Sequence, residues 1–444
     1  MADYDYQAYL TAGRPALNHG DRIINVPVGS YTLEAQPLEG NLTPPNLSGN
    51  INNCGDYIYT ANYGRASQYI WTPQTYNSDG WFYIIKTSDF VRAKSHRIRP
   101  SGVAGHFNWF SRTAVFPREN CAFTSTTNGV ARAITRIDFD TGVKWIKYVN
   151  FQGTQNPYLV DNYQGVDLGD GDPNWRTAPK GIALSPDGAE LYVGQYSIGP
   201  SNPNARIMVL NPTTGGWIRH WDIDNSGIRY HPYGLLAHGD ALYGTCTHTG
   251  WGGQSLYGLV AYNRHTGARW WTHQFTYGGN SRGAYNMTVY NNKLFVSADG
   301  HIFRFTLQGT LERTIKVFPD DNHRIIDGKT LTFNPPNWFR GVCGRTVNGS
   351  IRIYVAMCGS GGILELNQEL HITNYYNVGG SITGVVTSVE NDVIGVGVSN
   401  QVVRILPTLN GTIFNHTVTS GITNSYIYSD FIGASSTGPG YWST

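Results

Sequence analysis

Charge is scarce in this chain. Asp, Glu, Lys and Arg make up 14% of its 444 residues, well below the usual quarter of a soluble protein. The formal net charge is +2, so no global field points to nucleic acid or to a charged membrane surface. A short basic run such as Arg97-Ile98-Arg99 reads as a solvated strand edge. Long apolar runs are missing too: nothing approaches the ~20 residues of a membrane-spanning helix. The opening Met1-Ala2-Asp3-Tyr4-Asp5-Tyr6 is acidic and polar, without the basic region and apolar core of a secretory signal. The expectation is folding in a cytoplasm, with a virion or extracellular location reached by another route, such as release with a virus particle. Cys54, Cys121, Cys246, Cys343 and Cys358 form no CxxC and no Cys/His metal spacing. An odd set of thiols in or near strand-like runs implies buried, reduced side chains rather than a disulfide framework.

What fills the chain instead is Gly (53 residues) and Tyr (29), with many Asn, Thr and Ser. Aromatic and β-branched residues suit pleated surfaces, and Gly and Asn supply the positive φ of tight turns. One unit recurs: an apolar run, a polar turn ending in Gly, and a second run carrying aromatics. It reads Arg136-Ile-Asp-Phe-Asp-Thr-Gly-Val-Lys-Trp145, then Met208-Val-Leu-Asn-Pro-Thr-Thr-Gly-Gly-Trp217, then Val260-Ala-Tyr-Asn-Arg-His-Thr-Gly-Ala-Arg-Trp270. Weaker copies begin at Tyr83, Phe303, Ile363 and Val403. Runs of this kind on both sides of a short turn are β-hairpins. A second strand pair precedes several of them, clearest at Gly181-Ile-Ala-Leu-Ser-Pro-Asp-Gly-Ala-Glu-Leu-Tyr-Val-Gly194. Four short strands per repeat, at a recurrence mostly near ~50 residues, match a propeller blade. The polar stretch Val160 to Asn174 reads as an insertion within one repeat.

The segment from Ala178 to Val193, followed by Ile207 to Gly215, resembles the YVTN-type propeller repeat. The Thr-Gly units leading to Trp145, Trp217 and Trp270 look like quinoprotein-type repeats. The resemblance implies an all-β, seven-bladed β-propeller of four-stranded blades. It implies little chemistry, because propellers host enzymes, scaffolds and receptors alike. Quinone dehydrogenases of that type have eight blades and an adjacent Cys pair, neither of which this sequence offers, so no quinone cofactor is expected. Residues 1–48 fall outside the repeat and read as an N-terminal arm. Residues 49–444 read as the propeller, its ring closed by the C-terminal run Ser425 to Gly433, which resembles Asp56-Tyr-Ile-Tyr-Thr-Ala near the start.

Candidate sites are few. Asp167, Asp170 and Asp172 stand on a Gly-rich stretch, and closely spaced carboxylates can bind Ca²⁺, although the spacing completes no EF-hand. His220, His231, His238, His248, His265 and His273 cluster in sequence but fall on mixed positions, so surface and core-capping roles are expected, with His238 and His265 in turns facing the rim. No HExxH motif is present. Tyr4, Tyr6, Tyr9 and Leu10 of the arm, and Trp251 in a Gly-rich loop, are candidate anchors for a partner. Asn-x-Ser/Thr triplets, at Asn41 and Asn415 among others, are expected by chance in so Asn-rich a chain. With no coherent catalytic set, the expected function is structural: a rigid module in an assembly, most simply a bacteriophage-type capsid decoration or tail protein. The alternative is a carbohydrate-binding protein or polysaccharide-degrading enzyme using a pocket at the channel mouth. No nucleic-acid partner is expected.

Overall fold

The computed structural model describes residues 3–5, 22–24, 29–33, 41–42, 47–51, 64–65, 69–73, 80–86, 91–98, 107–116, 119–129, 132–149, 159–161, 177–197, 206–223, 234–246, 258–275, 284–298, 300–316, 323–326, 329–332, 338–347, 349–358, 362–378, 382–388, 393–398, 401–406, 412–417 and 433–434. Every regular element among them is a strand apart from a short 3₁₀ turn, and the large sheets are antiparallel and built from chain neighbours.

Five sheets contain four consecutive strands. The clearest runs Thr177–Leu184, Leu191–Ser197, Arg206–Leu210 and Trp217–Asp222. The next is Gly234–His238, Ala241–Cys246, Gly258–Asn263 and Arg269–Gln274. It is followed by Ala284–Tyr290, Lys293–Ala298, His301–Thr306 and Leu311–Lys316. Two more start at Trp338–Val347 and Ile382–Ser388 and end at Ile372–Asn377 and Thr412–Thr417. A sixth four-stranded sheet joins the two ends of the chain. Gly433–Ala434 pairs antiparallel with Tyr69–Pro73, which continues to Trp81–Lys86 and Arg92–Arg97. Ser425 through Ile432 lie outside the described residues.

The first strand of each sheet touches the first strand of the next, and Gly433–Ala434 touches both Ile382–Ser388 and Phe107–Phe116. The sheets therefore form a closed ring, a β-propeller. The expectation of seven four-stranded blades is corrected: among the described residues the four-stranded blades number six. The sheet beginning at Phe107–Phe116 has five strands, because Leu159–Val160 adds itself along Tyr148 and Val149. The stretch from Val160 read as a polar insertion thus starts at the end of an edge strand. Asp161, just beyond it, accepts a hydrogen bond from Lys147.

Burial explains why the third strands read as continuous apolar runs. A strand deep in a blade is covered on both faces by neighbouring blades, so Arg206–Leu210 is buried throughout, as is Gly258–Asn263 but for its last residue. The fourth strands lie at the edge and are half exposed, as at Trp217–Asp222 and Arg269–Gln274.

The turn between third and fourth strands is specified locally. Asn211 Oδ1 accepts from the N–H groups of Thr213 and Thr214 at 2.9 and 3.0 Å, and Gly215 N–H donates to the Asn211 carbonyl at 2.8 Å. Asn263, with His265, Thr266 and Gly267, repeats the arrangement at 2.9, 3.0 and 2.8 Å. An Asx turn closed by a residue of positive φ is thus encoded by Asn-x-x-Thr-Gly.

Of the N-terminal residues, the structure describes short strands. Asp3–Asp5 pairs in parallel with Arg22–Ile24, and Gly29–Leu33 pairs with Leu47–Ile51.

Candidate functional site: a cleft between two blades

Adjacent blades are joined at the turns just described. Five successive junctions, from His96 to Gln368, place a donor of one sheet on a turn carbonyl of the next. His96 Nε2 meets the Phe139 carbonyl at 2.8 Å. Arg136 and Trp145 both donate to the Pro212 carbonyl at 3.1 Å. Arg219 donates to the Arg264 carbonyl at 3.2 Å, Tyr243 to Leu307 at 3.0 Å, and Arg304 to Gln368 at 2.6 Å. The turn glycines take the rings: Gly215 lies against Trp145, Gly267 against Trp221 and Gly309 against Trp271. The Thr-Gly-to-Trp units are therefore packing devices. The ring that docks is not always the one nearest the glycine in sequence. Trp221 and Trp271 dock, whereas Trp270 is 48% exposed.

One junction is incompletely filled. In the sheet of residues 284–316, His301, Phe303 and Phe305 alternate along the third strand. Their cross-strand partners are Lys316, Thr314 and Leu311, so the period of two puts these groups on one face. The preceding blade offers His273 from its fourth strand and Phe275 just after it. Between them lies an open cleft of about 430 Å³, lined also by Gln274.

The floor is aromatic. Phe275 and Phe303 stack at 4.5 Å, and His273 meets Phe305 edge-on at 4.9 Å and Phe275 at 5.3 Å. His301 lies nearly parallel to Phe303 at 6.0 Å. Phe275 and Phe303 are buried and belong to a core cluster with Phe305 and Leu294. The rim is polar, with Lys316, Thr314 and Gln274 exposed. Burial holds the His273 pKa below its ordinary value, so its imidazole is neutral near pH 7 and can both donate and accept a hydrogen bond. None of the described lining side chains is acidic. The cleft thus offers an apolar floor, one ammonium and several groups able to donate and accept.

The residues singled out from sequence fall elsewhere. Tyr4 stands on the strand Asp3–Asp5; its side chain, together with Tyr6, Tyr9, Leu10, Trp251, Asp167, Asp170 and Asp172, lies outside the described residues. His265 is a half-exposed turn residue beside Asp240 at 3.1 Å, at the rim as read. His238 departs from that reading: its Nδ1 is buried without a hydrogen-bond partner and its pKa is lowered by burial. Cys121 and Cys343 are buried and form no disulfide. His301, Phe275, Phe303 and Lys316 were not among the sequence candidates. The signal available was the alternation His301-x-Phe303-x-Phe305, set in register with Thr314 and Lys316.

No protein-family model and no curated protein matches the chain. Among solved structures, a functionally unknown protein from Desulfotomaculum acetoxidans is similar over 83% of this chain and 99% of its own, at 10% identity and a TM-score of 0.52. BamB from Moraxella catarrhalis is similar over 73% and 92%, at 12% identity and 0.41. The Dos1 propeller is similar over 81% and 82%, at 11% identity and 0.46. At such identities the first likeness speaks to fold alone, and the other two are too distant to add to it.

Proposed function

We propose that this propeller is a structural and interaction module of a larger assembly, a bacteriophage-type virion decoration or tail component. The observation that supports the reading is how charge is partitioned among the fourth strands. Arg92–Arg97 carries Arg92, Lys94 and Arg97, and Gly142–Val149 carries Lys144 and Lys147. Trp217–Asp222, Arg269–Gln274 and Leu311–Lys316 also carry Lys or Arg. Ile372–Asn377 and Thr412–Thr417 carry no Lys, Arg, Asp or Glu. Lysine and arginine on an edge strand block pairing with another chain; an uncharged edge admits it. Thr412–Thr417 therefore has the composition of an edge suited to an extended strand of a partner subunit, while Ile372–Asn377, uncharged as well, already has His323–Ile326 of this chain beside it.

The N-terminal arm, with Tyr4, Tyr6, Tyr9 and Leu10, is assigned to the same work, docking on a neighbouring subunit. The YVTN-type and quinoprotein-like repeats are read as packing units of the ring. Ca²⁺ at Asp167, Asp170 and Asp172 is assigned no part in the contact.

The experiment is to follow the protein by antibody through gradient-purified particles from the host, beside a form carrying Asn374→Lys and Asn415→Lys. The native chain is expected to co-sediment with particles, and the lysine form to be depleted at least tenfold while keeping its melting temperature. A native chain confined to the soluble fraction, never with particles, rules the reading out.

A further inference from the structure

We infer that the edge strand Thr412–Thr417 takes up, as added strands, the N-terminal ribbon Gly29–Leu33 and Leu47–Ile51 of a second copy of this chain. The inference rests on the assembly reading above and deepens it by naming the partner subunit and the segment that docks.

The edge is singled out by its backbone as well as by its composition. In every other blade the pairing of third and fourth strands is broken by a register shift, after Ile84, Arg136, Val209, Ala261, Arg304 and Glu365. Such a bulge bends the outer strand and leaves a residue out of register, so a further strand cannot run evenly along it. Thr412–Thr417 pairs with Gln401–Leu406 residue for residue, without a shift. Among the described residues it is the one fourth strand with neither a bulge nor a Lys, Arg, Asp or Glu. Gly142–Val149, by contrast, is already extended by Leu159–Val160.

The ribbon has matching properties. Its strands are five residues each against six at the edge, carry no Asp, Glu, Lys or Arg, and pair without a shift. Their register sets Leu33 opposite Leu47, Tyr31 opposite Gly49 and Gly29 opposite Ile51. Alternation assigns these positions to one face of the ribbon, and Ser30, Thr32, Ser48 and Asn50 to the other. An amphipathic ribbon of two strands is marginal in water and gains stability from further strands. Pairing it with a flat, uncharged edge supplies them, and satisfies backbone groups on both sides. Among the described residues of one chain, ribbon and edge stand in separate sheets; each finds its counterpart in a neighbouring copy. Because ribbon and edge are different surfaces, the contact is heterologous: two copies exchange ribbons, or the contact propagates from copy to copy.

The test is sedimentation velocity of the purified full chain over a range of concentrations. Beside it run an edge form, Thr412→Lys with Asn415→Lys, and a ribbon form, Ser30→Lys with Ser48→Lys. The native chain is expected to self-associate, and each lysine form to do so at least tenfold more weakly while melting within a few degrees of the native chain. An equal mixture of the two forms is expected to associate again, since one retains the ribbon and the other the edge. A native chain that stays monomeric, a ribbon form that associates as the native chain does, or a mixture that stays monomeric would overturn the contact. Particles are read separately: a chain monomeric in solution that still travels with them overturns this contact alone, and a chain that self-associates but never meets them overturns only the virion reading.

Discussion

Gly267 lies against the indole of Trp221: a β-carbon at residue 267 would stand 2.2 Å from the ring. Gly267 also has φ of +74°. Trp221 is held from its other sides by Tyr192, stacked at 6.0 Å, and by the Arg219 guanidinium 5.4 Å from the ring centre. The ring therefore has nowhere to retreat, and the glycine is required twice over, for its backbone and for its missing side chain.

Gly267→Ala should cost about 1–2 kcal/mol for the left-handed backbone and about 1–3 kcal/mol more for overpacking. Gly239 has φ of +54° and nothing within 4 Å of the point a β-carbon would occupy, so Gly239→Ala should lose only the first amount. In a Trp221→Ala background the penalty of Gly267→Ala should shrink toward that of Gly239→Ala. Urea unfolding of the four variants and the double mutant cycle decide it; equal penalties at the two glycines would refute the packing account.

Leu370 occupies the corresponding turn of the blade that ends at Ile372–Asn377, with φ of +58° and 1% exposure. It belongs to a core cluster against which Ile315 of the preceding blade packs. Here a large buried side chain stands at the turn position that is glycine at Gly215, Gly267 and Gly309. Leu370→Gly should relieve about 1 kcal/mol of backbone strain and lose about 2–5 kcal/mol of buried side chain. A net loss of stability is expected from chemical denaturation, and a gain would mean the burial contributes little.

Glu190 joins two blades. It accepts from Arg219 at 2.6 Å and from Tyr192, and lies 3.8 Å from Arg264, which is itself bonded to the Gly239 carbonyl at 2.8 Å. Burial pushes the Glu190 pKa up, but the Arg219 and Tyr192 hydrogen bonds and the two guanidinium charges outweigh it and lower it overall. Its contribution is therefore complete above the unfolded value near 4.5 and is lost as pH falls through the folded value. Glu190→Gln should cost about 2–3 kcal/mol at pH 7, below the range for breaking a fully buried pair because the site is partly exposed. The variant should also show a shallower acid limb in melting temperature below pH 4.5.

His238 and His273 act in a higher pH window. Burial lowers both pKa values below 6.5, so the unfolded chain takes up their protons first. Stability is undiminished above about pH 6.5 and declines as pH falls from there toward the folded values. A His238→Gln, His273→Gln double variant should flatten melting temperature between pH 7 and 5, leaving the carboxylate limb in place. An unchanged slope would show that neither imidazole is the group responsible.

The Cys121 thiol is pushed up to about 12, chiefly by burial, and free cysteine reacts as the thiolate. In a chain with Cys54, Cys246 and Cys358 replaced by serine, a thiol reagent at pH 8 should find Cys121 and Cys343 unreactive until denaturant is added. Rapid labelling of the folded protein would contradict their burial.

The hairpins were legible because each carries its own instructions. Asn211 and Asn263 make the turn, and Gly215 and Gly267 end it. The third strands announce themselves as apolar runs because they are covered on both faces. Which aromatic faces the next blade was not legible. Trp270 and Trp271 are neighbours, and strand alternation sends neighbours to opposite faces; the register shift after Ala261 settles which one docks. The fifth strand at Leu159–Val160 was hidden because two residues carry no periodicity. The cleft was hidden for a different reason: His273 and Phe275 come from one blade, His301 and Lys316 from the next.

The amino-acid sequence by itself determined the hairpins, their turns and the all-β class, since each depends on contacts within a few residues along the chain. Tertiary structure alone decided how many blades have four strands, which tryptophans meet glycines, and where two blades fail to close over an aromatic floor. Those outcomes depend on which face each strand presents to a neighbour some fifty residues away, and no local pattern carries that information.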